Sequence, residues 1–221
     1  KWAAQRADAI RIRPPQAGGY FGIGSLIWVR LRLHAWGIDS EGVSHAMALA
    51  DTLPDAVAAD DMPDVLSGTA GAIPALLMLH RASGEARYLS MAKDFAQVLG
   101  EKAAREDGRA WWPHAQWPDG IGGFAHGSTG IGWALRQLNR VSPDAERERL
   151  EREAFGFDDA LYDAELAGWK DLRLLPGAPT AAAWCHGAVG IALCRIDEEG
   201  DEAKRRLRRA AQATRQLGLG W

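Results

Sequence analysis

The 221-residue chain has little cysteine, tyrosine or phenylalanine, no large excess of either charge, and no clean membrane-length apolar run. Two cysteines, Cys185 and Cys194, are too few for the disulfide framework of a small secreted domain. Lys and Arg total 26 against 29 Asp and Glu, a net charge of −3, which argues against a protein devoted to phosphate backbones. Nucleic acid is therefore not an expected partner. The first residues lack the apolar core of a signal peptide. One uncharged run, Leu174 to Cys194, is long enough to span a bilayer, but Pro176, Gly177, Pro179, His186, Gly187 and Gly190 interrupt it. It reads as buried interior, so no membrane partner is expected and the cytoplasm is the default location. The chain begins Lys1-Trp2 and ends on Trp221 straight after a helical pattern, so both ends read as cuts.

Glycine, by contrast, is abundant: 25 residues, about 11% where average proteins have roughly 7%. Four segments share one pattern: Phe21-Gly22-Ile23-Gly24-Ser25-Leu26, Ser67-Gly68-Thr69-Ala70-Gly71-Ala72, His126-Gly127-Ser128-Thr129-Gly130-Ile131 and His186-Gly187-Ala188-Val189-Gly190-Ile191. Their first glycines are 46, 59 and 60 residues apart, which signals a repeat architecture whose units bury their apolar faces on one another. Each glycine pair opens a run that is apolar nearly all round, as expected of an inner helix. More polar, one-sided segments lie between them. Leu89, Ala92, Ala96 and Leu99 recur at helical steps after Ser83, a candidate N-cap, and another helix is expected from Ser142-Pro143 toward Tyr162. A third, from Asp201 to Gln216, has acids first and arginines later, which suits the helix macrodipole. Strand signals are weak. The expected fold is all-α, an α/α toroid of inner and outer helices. Residues 1–221 form one incomplete domain with repeat motifs near 18–27, 64–77, 123–135 and 183–194.

Glycine permits tight turns and close backbone approach, and a helix N-terminus presents unpaired N–H groups. Residues one or two places before each glycine are therefore expected at a shared centre. They are Tyr20 and Phe21 in the first unit, Ser67 in the second with Asp64 three places earlier, His126 in the third, and Cys185 with His186 in the fourth. Asp64, His126, Cys185 and His186 together suit metal binding and proton transfer. Each also has a plainer reading: Cys185 as a small buried apolar group, the histidines as packing groups, Asp64 as a helix cap. Recurrence at one equivalent position weighs toward function.

Ala183-Trp184-Cys185-His186-Gly187-Ala188-Val189-Gly190-Ile191 resembles the Trp-Cys-His-Gly-x-x-Gly-Ile motif of lanthionine synthetase cyclases. The run Gly123 to Ile131 resembles the preceding His-Gly-x-x-Gly motif, and Gly18 to Ile27 and Asp64 to Gly68 resemble two earlier repeats. Phe157 to Asp163 and Gly168 to Arg173 are similar to the inter-repeat segment of the class II lanthipeptide synthetases. The resemblance implies a toroidal cyclase that adds cysteine thiols of a precursor peptide to its dehydrated Ser and Thr residues, forming lanthionine or methyllanthionine thioethers. It implies a zinc held by Cys, Cys and His, with Cys185 as the first ligand. It further implies His126 as the proton-transfer histidine, Asp64 as the supporting aspartate, and His186 as a cavity-lining residue.

In that family the other two ligands come from a later Cys-His-Gly motif, and Leu217 to Trp221 resembles the segment just before it. The chain is thus expected to be a fragment with doubtful zinc occupancy. Catalytic zinc ordinarily takes three protein ligands. Cys194 would sit about 9 Å up its helix from the rim, and His45 or His114 could join only by rearrangement. Other readings are a non-catalytic peptide-binding toroid and an α/α-barrel glycoside hydrolase. The latter needs two rim carboxylates, and only Asp64 falls there. Repeat faces left exposed would favour self-association.

Overall fold

The computed structural model describes residues 16–59, 61–173 and 179–217. The described chain is mainly helical. The helices are α1 (Ile23–Ala35), α2 (Gly42–Ala50), α3 (Leu53–Ala59), α4 (Thr69–Ser83), α5 (Ala86–Lys102), α6 (Ser128–Val141), α7 (Ala145–Ala160), α8 (Ala188–Leu193) and α9 (Asp201–Leu217). Two small antiparallel hairpins complete it: β1 (Ala104–Glu106) with β2 (Arg109–Trp111), and β3 (Tyr162–Asp163) with β4 (Gly168–Trp169). An all-α class is what the helical periodicities and weak strand signals predict. Part of the uncharged run (174–178) and the terminal Gly218 to Trp221 lie outside the described residues.

The chain divides into two compact units: the described residues up to Glu101 with Gln137–Pro143, and Lys102–Arg136 with the described residues from Asp144 onward. In the first unit α1 packs on α2 and α4. Its core holds Ile27, Leu53, Ile73, Leu76, Leu79, Tyr88 and Leu99. The glycine-opened α4 buries Thr69 to Ile73 without a break, as an inner helix should. In α5, Tyr88, Ala92, Phe95, Ala96 and Leu99 form one buried stripe, the pattern of an outer helix. Ser83 is not its N-cap. It closes α4, where Gly84 adopts a left-handed conformation (φ 75°) that stops the helix, and α5 begins at Ala86. The helix expected from Ser142-Pro143 begins at Ala145 as α7, and Asp144 caps it, accepting a hydrogen bond from Arg147 N.

In the second unit Trp169, Ala182, Ala188, Ile191, Ala210 and Ala213 pack together, with α9 lying against α8. A charged lattice braces this core. Glu198 takes hydrogen bonds from Arg136 (2.6 Å), Arg195 (2.9 Å) and Arg206 (2.6 Å), and Asp159 holds Arg195 and Arg206. Several of these groups are largely buried, so removing one partner strands the others.

Candidate functional site

The glycine repeat has a specific backbone cause. Ahead of each inner helix the chain folds back so that helix amides donate to carbonyls seven residues earlier. In the first repeat Ile23, Gly24 and Ser25 N–H reach Gln16, Ala17 and Gly18; in the second, Thr69, Ala70 and Gly71 reach Met62, Pro63 and Asp64, all at 2.8–3.2 Å. Ser128 and Gly130 reach Ile121 and Gly123 in the third, and Ala188 reaches Ala181 in the fourth. These opening amides are consequently paired. That corrects the expectation of unpaired N–H groups facing a centre: the loop, not a ligand, satisfies them. The same fold-back explains the glycines. A Cβ on Gly22, Gly68 or Gly187 would be driven into the carbonyl oxygen of Gln16, Met62 or Ala181.

Neighbouring loops within each unit are stitched by backbone. Gly18 N–H donates to Ser67 O (2.9 Å), Gly19 to Val65 O (3.0 Å) and Phe21 to Leu66 O (2.7 Å). In the other unit Ala125 N–H donates to Cys185 O (3.0 Å). Gly123, with φ 99°, lies so close to Cys185 O and His186 that no side chain would fit.

His126, Cys185 and His186 thus stand on two adjoining loops. The His126 and His186 rings stack with centroids 5.8 Å apart, and the Trp117 ring lies 5.3 Å from His126. Cys185 is half-buried and unpaired with Cys194. His186 is buried, and burial holds its imidazole neutral with a pKa down at about 4. The Arg173 and His126 charges act in the same direction, while Asp171 opposes them. Asp171 grips the Arg173 guanidinium through both carboxylate oxygens (2.6–3.1 Å), leaving a fixed cation whose field reaches Cys185 and His186.

Asp64 belongs to the other unit. It is fully buried, and its Oδ1 accepts from Ser67 N (2.8 Å), Gly68 N (2.9 Å) and Ser67 Oγ (3.3 Å). Its loop-capping role is therefore visible. Cys194, at the end of α8, is buried, and burial pushes its thiol pKa far up. His45 sits beside Asp39, and His114 pairs through its backbone with Trp117. Neither is recruited. Among the described residues no group of three or more His, Cys, Asp or Glu side chains gathers to hold a metal ion. The described residues therefore do not make up the three-ligand zinc site that the motifs imply.

One residue that motif reading misses is Asp158, on the last turn of α7. It is fully buried; Oδ1 accepts from Gly123 N (2.9 Å) and Oδ2 from Thr129 N (2.8 Å), bracketing the loop that carries His126. Burial pushes its carboxyl pKa up to about 7, against the lowering effect of those bonds. A small cavity behind the loops is lined by Asp158, Trp169, Asp171 and His186. Leu150, Ala154 and Asp158 recur four residues apart on the buried side of α7, so a carboxylate interrupting an apolar stripe was the available signal.

A model of the lanthionine synthetase C-like proteins matches residues 4–215 of the chain. The chain belongs to the lanthionine synthetase C-like family. No curated protein matches it. Among the described residues no helix is long and apolar enough to cross a membrane.

Proposed function

We propose that the chain is a lanthipeptide cyclase domain acting on a precursor peptide that carries dehydrated Ser or Thr residues and free cysteines. The peptide thiol adds to the β-carbon of dehydroalanine or dehydrobutyrine. The S–H bond breaks, a C–S bond forms at Cβ, the π pair moves onto Cα as an enolate, and a proton arrives at Cα. Nothing is oxidised or reduced. His126 takes the thiol proton and returns one to Cα, the work of a general acid–base imidazole. His186, held neutral, lines the cavity, and Asp64 has a supporting role through its own loop. Cys185 is the position this chain contributes to the zinc implied by the family, and the described residues gather no three-ligand set around it. Free cysteine thiols persist in a reducing compartment, which suits a reaction in the cytoplasm.

The observation that carries this reading is that Cys185 and two imidazoles stand on adjoining loops, joined by the Ala125–Cys185 hydrogen bond and the His126–His186 stack. Thioether closure leaves peptide mass unchanged, so the test counts free thiols by maleimide labelling after incubation with a dehydrated, cysteine-containing peptide. The expected product has unchanged mass and fewer labelled thiols. Retention of every thiol at the uncatalysed rate would contradict the assignment.

A further inference from the structure

We propose that Asp158 is the positioning residue of this site: by holding the His126 loop at both ends, it sets His126 and His186 against each other. In the first two repeats three consecutive helix amides run to three carbonyls seven residues earlier. In the third, the middle amide, Thr129 N–H, goes instead to the Asp158 carboxylate, while Ser128 and Gly130 keep the usual partners. The carbonyl that the ladder would give to Thr129 is that of Gly122, a residue that lines the same small cavity as His186. The other Asp158 oxygen holds Gly123 N–H at the start of the same loop. A single carboxylate therefore anchors the His126 loop at both ends, and it is this loop whose Gly123 lies against His186 and whose Ala125 N–H donates to Cys185 O. Its counterpart Asp64 spends one oxygen, Oδ1, on two amides of its own loop and leaves all three rungs in place.

Both bonds to Asp158 need acceptor oxygens, so the ionised carboxylate satisfies both amides, whereas protonation turns one oxygen into a donor. Of the charged and titratable groups around it, Asp159 on its own helix raises its proton affinity and Cys194 on α8 is electrostatically coupled to it. Lys170, Asp171 and His186 line the cavity beside it. The loop geometry is accordingly expected to sharpen as pH rises through neutrality.

The consequence for catalysis rests on the proposed cyclisation; the geometry rests on the hydrogen bonds alone. The test is NMR of the wild-type chain and Asp158→Asn across pH 5–9, with Ser67 and Gly68 amides as internal references. In the wild type, the Gly123 and Thr129 amides should titrate together with a midpoint near 7, while the references stay still. Asp158→Asn should abolish that titration and shift the His126 and His186 ring resonances. Thioether formation should fall at least tenfold in kcat, with KM within twofold. Unmoved ring resonances in Asp158→Asn, or Gly123 and Thr129 amides that do not titrate in the wild type, would overturn the inference. Absence of thioether from the wild type would count against the cyclase reading and leave the resonances to decide on Asp158.

Discussion

The loop pair around Gly22 and Gly68 and the pair around Gly127 and Gly187 use one backbone device for different ends. Both fold seven residues back onto the start of an inner helix, and both stitch two loops together through main-chain hydrogen bonds. Immediately before their glycines, however, the first pair carries Phe21 and Ser67, and the second carries His126 and His186 with Cys185 one place earlier. Phe21 is 64% exposed, whereas His186 is buried against a small cavity that Asp158 and Asp171 also line. The glycines record how the backbone is built, and the residues ahead of them, which differ between the pairs, are where the proposed function puts its chemistry.

Substitutions at the shared device should have the largest effect and should not distinguish the two pairs. Gly187→Ala sets a methyl against the Ala181 carbonyl at φ 89°, and Gly68→Ala sets one against Met62. Each is expected to cost about 4 kcal/mol or more of unfolding free energy in denaturant titration. Gly200→Ala meets open space at a similar φ of 95° and should cost about 1–2 kcal/mol, the backbone strain alone. Equal losses at Gly187 and Gly200 would show that the carbonyl contact is not what demands glycine.

A smaller effect should separate the two carboxylates. The folded-state pKa of Asp158 is raised from 3.8 to about 7, so between those values the folded chain keeps a proton that the unfolded chain releases. Wild-type stability relative to Asp158→Asn should therefore fall as pH rises from about 4 to 7 and level off above. A flat difference across that window would remove the buried-carboxyl assignment. The smallest effect compares the two thiols. Iodoacetamide should label Cys185 at least tenfold faster than Cys194 at pH 7.5, because the Cys194 thiol is buried and held protonated. Equal labelling would place Cys194 outside the core.

Much of this was legible in the sequence. The stripe of Ala92, Ala96 and Leu99 marks α5 because helical period and burial coincide there, and the run from Asp201 marks α9 by placing its acids first and its arginines later. The motif positions led directly to His126, Cys185 and His186, because their placement follows the glycines by local geometry. The paired helix amides were not legible, since nothing in residue identity announces that a carbonyl seven residues back will accept. Asp158 escaped because its partners lie 29 and 35 residues away and its immediate neighbours read as the acidic end of an outer helix.

The most direct test of the central claim, that the second loop pair carries the chemistry, is the rate of thiol loss from a dehydrated peptide with wild type, His126→Ala and Phe21→Ala side by side. His126→Ala should slow the reaction at least a hundredfold, the usual contribution of a positioned general acid–base. Phe21→Ala, altered at the equivalent position of the first pair, should stay within threefold of wild type. Equal slowing by both, or by neither, would contradict the account.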